Sequence, residues 1–231
     1  MAGSLLSRIV LVVLLVAAAP AWAAELPGRG FEVGVRTGYA FSAGNLGATE
    51  NSTDNGLGDY VGGQWPLWLD VGYRVLPELY LGGYFQYGFG FVNDDRQNLC
   101  RNANVDCSAS DVRLGVMGRY NFTPAWLASP WLGLGIGYEW GSFSLHQSII
   151  GSSNTDSGWS GFEIVNLQAG ADFCVSPHLV LAPFISFSLG QFRSVSTTTT
   201  TNNTSTTTDE DLAKHSIHEW ILIGARFAFQ L

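Results

Sequence analysis

Residues Trp220 to Leu231 read WILIGARFAFQL, and this stretch alternates along its whole length. Ile221, Ile223, Ala225, Phe227, Phe229 and Leu231 fall on one side of an extended strand, with Trp220, Gly224, Arg226 and Gln230 on the other, because successive side chains of a strand point to opposite faces. Two orientations are open. The apolar face either packs inward, as in a soluble sheet, or turns outward to meet lipid.

The stretch resembles the C-terminal signal of bacterial outer-membrane β-barrels, carried here by the spacing Gly224-x-x-Phe227-x-Phe229 at the end of the chain. Two positions depart from that pattern: Leu222 stands where a polar residue is common, and the last residue is Leu231 rather than Phe. The resemblance implies that this strand closes a barrel and is read by the barrel-assembly machinery.

At the other end, Arg8 precedes an unbroken apolar run from Ile9 to Ala19, and Ala21-Trp22-Ala23 follows Pro20. A charged start, a short apolar core and small residues two apart form a secretory signal peptide, expected to span 1–23 and to be cleaved after Ala23. Its apolar run is shorter than the ~20 residues a membrane helix needs. Removing Arg8 with this segment takes the formal charge from −8 to −9 for the expected domain, 24–231. Such acidity argues against nucleic acid and against polybasic attachment to anionic lipid.

Twenty-eight glycines, 14 Phe, 8 Tyr and 8 Trp accompany only 13% charged residues, about half the usual share for a soluble domain. Eight segments of the remaining chain alternate, beginning at Phe31, Leu67, Leu79, Asp111, Leu132, Val165, Leu181 and Trp220. One face of each is continuously apolar, with aromatics toward its ends, while the other mixes Gly with Arg, Asp, Glu, Gln and Asn. Glycine-rich faces so short of Lys make poor solvent surfaces for a β-sandwich. Turned inside out, the pattern fits an all-β fold: an eight-stranded antiparallel up-and-down transmembrane β-barrel, apolar outside and polar within. Pro183, on the outward face, removes one ladder donor and predicts a local weak point.

Connection lengths support the same architecture. Val75 to Glu78, Thr123 to Pro130 and Ser176 to His178 are short, whereas Asn45 to Gln64, Asn93 to Ser110, Gln147 to Gly158 and Ser194 to His215 are long and polar. Strict alternation of short and long matches short periplasmic turns and longer external loops, with both termini periplasmic.

Strand parity directs Arg36, Arg74, Arg113, Arg119 and Arg226 inward, together with Glu32, Asp70, Glu139 and Asp172. An eight-stranded barrel is only wide enough for its own side chains, so these charges are expected to pair and plug the lumen. A water-filled path gated by switching pairs is the alternative. Cys100 and Cys107 close a ring of eight residues in the second long loop and suit a disulfide in an oxidising compartment. Cys174 is left over as an inert inward side chain. Thr197 to Asp211 (TTTTTNNTSTTTDED) has no apolar residue and is expected to be disordered. Its Asp209, Glu210 and Asp211 offer either a loose divalent-ion site or a solvated loop.

For catalysis, His146-Gln147-Ser148 with Glu163 on the next strand resembles, over three residues, the His-x-Ser and Glu of outer-membrane lipid A deacylases. No cofactor, zinc or phosphate motif accompanies it, and the chain is read as a non-enzyme. As a whole, residues 30 to 231 resemble the small outer-membrane barrel superfamily that includes the OmpA transmembrane domain, OmpX, OmpW and the opacity proteins. That resemblance implies a monomer in outer-membrane lipid and lipopolysaccharide with a structural or surface-interaction, adhesion-like role. It also implies a porin-like alternative, a narrow channel for small or hydrophobic solutes, with Pro183 and the Gly-rich fifth segment as candidates for a lateral opening.

Overall fold

The computed structural model describes residues 28–50, 52–93, 100, 105–124, 128–147, 153–201 and 204–231. The expected signal peptide and Ser148 lie outside them.

Among the described residues nine strands follow in chain order: β1 (Gly30–Gly44), β2 (Val61–Arg74), β3 (Leu79–Val92), β4 (Val105–Asn121), β5 (Ala128–Gln147), β6 (Ser153–Ser176), β7 (Leu179–Thr201), β8 (Thr204–Asp211) and β9 (Ile217–Gln230). Each strand from β1 to β7 pairs antiparallel with the next, β7 also pairs with β9, and β9 returns to β1. Eight strands therefore close a ring, an all-β up-and-down barrel, and β8 stands outside it as a hairpin partner of β7. Closure satisfies the backbone of every ring strand on both edges, the condition for placing strands in hydrocarbon. Among the described residues no helix is long and apolar enough to cross a membrane.

The predicted parity holds through most of the ring. Leu67, Leu69 and Val71 of β2, and Leu132, Leu134 and Ile136 of β5, face outward, while Trp68, Asp70 and Arg74 of β2 are buried inside. Ile136 is 56% exposed and Arg36 0%, the inverse of a water-soluble protein. An apolar belt of this extent marks a surface that meets lipid. Glycines on the inner wall make room for large side chains: a Cβ on Gly170 would lie 2.6 Å from the Trp131 ring, and one on Gly82 would strike the Tyr80 hydroxyl.

The fourth loop departs from expectation. Thr197–Thr201 and Thr204–Asp211 are ordered: β7 continues to Thr201 and β8 runs back beside it, from Thr201–Thr204 to Ser194–Asp211. The expectation rested on the segment's inability to bury anything, yet pairing needs only a template strand. β6 supplies one along the opposite edge of β7, from Ser160–Ser194 to Ser153–Thr201. Thr suits strands, and cross-strand hydroxyls meet at Thr198–Thr207 (2.9 Å) and Thr200–Ser205 (2.8 Å). β5, β6 and β7, at 20, 24 and 23 residues, therefore exceed the ~9–11 needed to span a membrane. They rise as a sheet beyond the long-loop mouth, and the third long connection shrinks to 148–152.

Register shifts at Ser160/Gly161 and Cys174/Ser176 accompany two further irregularities in that sector. β6 carries a bulge where Gly135 pairs with Asn166 and Gly137 with Glu163. Two residues, Ile164 and Val165, then oppose one, which reverses the facing of everything beyond. The β6–β7 ladder runs to Gly170–Phe184 and resumes at Phe173–Leu181 in unchanged register, skipping Pro183. A proline there donates nothing across the seam.

Candidate functional site

The lumen is filled in layers from the short-turn end to the long loops. At the short-turn end, Glu32 is the hub. Its carboxylate accepts from Arg74 (2.8 Å), Arg119 (2.6 Å), Arg226 and Gln230 Nε2 (2.6 Å). Asp70 takes Arg36 Nε at 2.6 Å and Arg226 at 3.3 Å. Asp172 lies 3.8 to 3.9 Å from Arg226, Arg74 and Arg119 and accepts from Asn121 Nδ2 at 2.9 Å. Four guanidiniums against three carboxylates give this half a formal surplus of one positive charge.

An apolar layer covers that cluster. Trp68 packs on Tyr84 (centroids 5.0 Å) and edge-on to Phe184 (6.4 Å). The Arg36 guanidinium lies 4.7 Å from the Trp68 ring centre and 5.5 Å from that of Phe184, while donating to Gln168 Oε1 at 2.6 Å. Cation–π contact and hydrogen bonds together hold a buried charge that would otherwise be costly.

The half nearer the long loops is centred on Arg113. Asp111 lies 2.9 Å, Glu139 3.1 Å and Glu163 3.6 Å from its guanidinium nitrogens. Glu139 also meets His218 Nε2 at 2.9 Å and accepts from Trp220 Nε1 at 3.1 Å. Glu163 accepts from the Tyr84 hydroxyl, from Ser188 Oγ (2.5 Å) and from Asn166 Nδ2 (2.7 Å). Three carboxylates against one guanidinium make this half acidic, opposite in sign to the other. Tyr60 and Trp159 lie above it, edge to face at 5.6 Å, with Leu46, Leu57, Phe143 and Phe192. Beneath them remains a cavity of about 20 Å³ bordered by Gln64, Asp111 and Glu139, room for about one water.

All nine residues singled out for the lumen, Glu32, Arg36, Asp70, Arg74, Arg113, Arg119, Glu139, Asp172 and Arg226, are buried, and each has an oppositely charged neighbour within 4 Å. They fall into two clusters rather than one ladder. Three members escaped the sequence reading. Asp111 already stood on the inward face, His218 lies two residues ahead of the stretch read from Trp220, and Glu163 is turned inward by the β6 bulge. Extending the last strand's parity backward recovers His218, but no residue pattern announces the bulge.

The deacylase-like grouping does not assemble. His146 is exposed and meets Asp156 at 3.0 Å, whereas Glu163 faces the lumen. Glu163 pairs with Gly137, nine residues down β5 from His146, roughly 30 Å at ~3.3 Å per residue. Cys100 and Cys107 are bonded, with Cα atoms 5.6 Å apart. Cys174 is buried beside Val180 and Ala228. Asp209, Glu210 and Asp211 lie along β8, and among the described residues no group of three His, Cys, Asp or Glu side chains is arranged to hold a metal.

A second hollow, about 400 Å³, lies outside the barrel mouth between the first long loop and the β6–β7–β8 sheet. Asp54 ties that loop to the segment leading into β9: it accepts from Lys214 Nζ and Ser216 Oγ, each at 2.7 Å, and from the Gly47 N–H at 3.0 Å. A backbone bridge joins Ala48 to Lys214.

An antiparallel ring of eight strands, apolar outside and packed with ion pairs inside, defines a membrane-spanning β-barrel. Residues 9–208 match the family described as outer membrane protein beta-barrel domain, and the chain belongs to that family. Among solved structures, a major outer membrane protein from Thermus thermophilus aligns with a TM-score of 0.58 at 13% identity, over 88% of this chain and 99% of that one. Neisserial surface protein A aligns with a TM-score of 0.51 at 14% identity, over 89% and 100%. At such identities the likeness is one of fold. No curated protein sequence matches the chain. Family and fold place the protein in the bacterial outer membrane, among its lipids and lipopolysaccharide.

Proposed function

We propose that this protein is a non-enzymatic surface-interaction barrel with a closed lumen, which displays its long connections outside the cell and keeps both termini periplasmic. On this reading residues 1–23 are the secretory leader and 24–231 the barrel, a monomer, with the outward Phe227 and Phe229 of β9 offered to the assembly machinery. The reading rests on one observation: two oppositely biased charge clusters and an aromatic layer fill the interior, leaving a cavity of about 20 Å³ near the long-loop mouth. Moving an ion through would require parting several buried pairs at once, each costly to break.

Planar-bilayer recording of the refolded chain tests this. A silent membrane is expected, and steady openings overturn the closed lumen. Protease added to intact cells should reach the β7–β8 hairpin; protection there overturns the orientation.

A second reading, lateral passage of small apolar solutes, draws on the skipped ladder at Pro183 and on a nearby hollow of about 410 Å³ whose border includes Leu132, Leu167 and Phe187. Gln168 borders the same hollow while held by Arg36, which favours the closed form. Uptake of a small alkane by cells expressing the chain, above that of cells lacking it, would favour passage instead.

A further inference from the structure

We infer that the hollow outside the barrel mouth binds an uncharged sugar unit of an exposed glycan. This rests on the surface-interaction reading and names its site. The wall is the sheet that rises beyond the barrel, and its register places side chains in rows across three strands. Trp159, Val195 and Glu210 form one row, and Ser157, Thr197 and Thr208 the next. All six border the hollow. Neighbouring rows on one face are two residues apart, ~6.6 Å along the strand, and the strands lie ~4.8 Å apart. A pyranose ring spans such a grid.

The chemistry of the border selects among ligands. Trp159 and Tyr60 supply aromatic surface that suits the C–H face of a sugar ring, and their edge-to-face contact fixes both rings. The Ser and Thr hydroxyls, Asn55 across the hollow and the Glu210 carboxylate supply donors and acceptors at the rim. Among the described residues no Lys or Arg borders it, and the whole chain carries a formal charge of −8. Sulfate, phosphate and sialic acid therefore meet no counter-charge, while a purely apolar ligand would strip water from the hydroxyl row without replacing it. A hollow of about 400 Å³ falls within the ~300–1,000 Å³ of small-ligand sites.

The site is built before any ligand arrives. The facing loop is tied down by Asp54 through Lys214, Ser216 and Gly47, and the wall is paired on both edges of β7. Preorganised walls reduce the ordering that binding must otherwise overcome.

The test uses the full barrel refolded in lipid nanodiscs. A printed panel carries neutral bacterial polysaccharide fragments, neutral animal glycans, and sulfated and sialylated counterparts; the strongest neutral oligosaccharide is then titrated calorimetrically. The first two arms distinguish a bacterial from a host source. Saturable binding of a neutral glycan is expected, with little binding of its anionic counterpart. Trp159→Ala should weaken binding by about tenfold or more. Because Trp159 also packs at the barrel mouth, the paired variant T197V/T208V provides a second test on a half-buried and an exposed side chain of the sheet and should weaken binding several-fold. Thr207→Val, in the adjoining row Thr198–Thr207 on the other face, should leave it unchanged.

No neutral binding across the panel, equal binding of anionic forms, or full affinity in T197V/T208V overturns the inference. A silent barrel that binds no sugar removes this inference alone. Steady conductance removes the proposed function, whatever the sugar result.

Discussion

Glu32 of β1 and Arg226 of β9 are hydrogen-bonded across the seam that closes the ring, with Arg226 Nη2 donating to Oε1. The same carboxylate also engages Arg74 of β2 and Arg119 of β4, so one side chain ties four strands together. Glu32→Ala leaves three buried guanidiniums short of a partner. Breaking a buried ion pair by removing one side costs about 3–5 kcal/mol, and the hub position puts this variant toward the upper end. Its urea midpoint in lipid vesicles is expected to fall markedly, with Glu32→Gln falling less because it keeps an acceptor. An unchanged midpoint for the alanine variant contradicts the hub.

Gly170 lets the indole of Trp131 lie against the inner wall. A Cβ there would sit 2.6 Å from Trp131 Cζ2 and 2.7 Å from the Pro183 carbonyl oxygen. Gly170→Val should push the ring toward Arg36 and Arg119, which lie 6.0 and 5.4 Å from its centre, at about 1–3 kcal/mol of overpacking. A lower temperature for the heat-induced mobility shift on gels checks this, and Trp131→Phe in the same chain should restore part of it. Equal transition temperatures for Gly170→Val and wild type rule the contact out as a packing determinant.

Alternation carried most of the fold. The faces of β1 to β5, β7 within the ring and β9 follow from residue order alone, since a period of two leaves no freedom once one face is apolar. Two features were hidden for physical reasons. The β6 bulge changes facing without a compositional mark, so Glu163 reads as outward until the register with Gly137 is known. The threonine hairpin looks unstructured because burial is absent, whereas its order comes from pairing with a strand anchored in the barrel. The charged interior was legible residue by residue, but its division into two clusters was not. That depends on which strands face one another across the lumen.

Asp54 predicts acid sensitivity confined to the first long loop. Its hydrogen bond from the Lys214 ammonium, helped by Ser216, the Gly47 N–H and Asn45, lowers its carboxyl from the usual 3.8 to about 2. A lowered folded value means the tether is fully present above about pH 4 and is lost as the pH falls through about 2. The Lys214 side chain is 66% exposed, so the pair adds little to global stability. Measured at each pH against an unfolded peptide of the same loop sequence, which removes pepsin's own pH dependence, cutting near Leu46 and Leu57 should be relatively faster at pH 2 than at pH 4, and Asp54→Asn should show no such difference. An identical wild-type ratio at the two pH values defeats the tether.

The Cys100–Cys107 bridge should protect the end of a strand more than the barrel itself. Cys107 lies in the part of β4 that rises beyond the ring and pairs with Leu145 of β5. Closing a ring of eight residues is worth at most about 2.5 kcal/mol by chain entropy. Strand ends open without the barrel unfolding, so most of that benefit acts against local fraying of the β4–β5 tip. Reduction, or the variant C100S/C107S, should therefore speed tryptic cutting at Arg101 severalfold. The heat-modifiable mobility and the urea midpoint should stay near those of the oxidised chain. A midpoint shift as large as that of Glu32→Ala would show instead that the bridge and the barrel unfold as one unit.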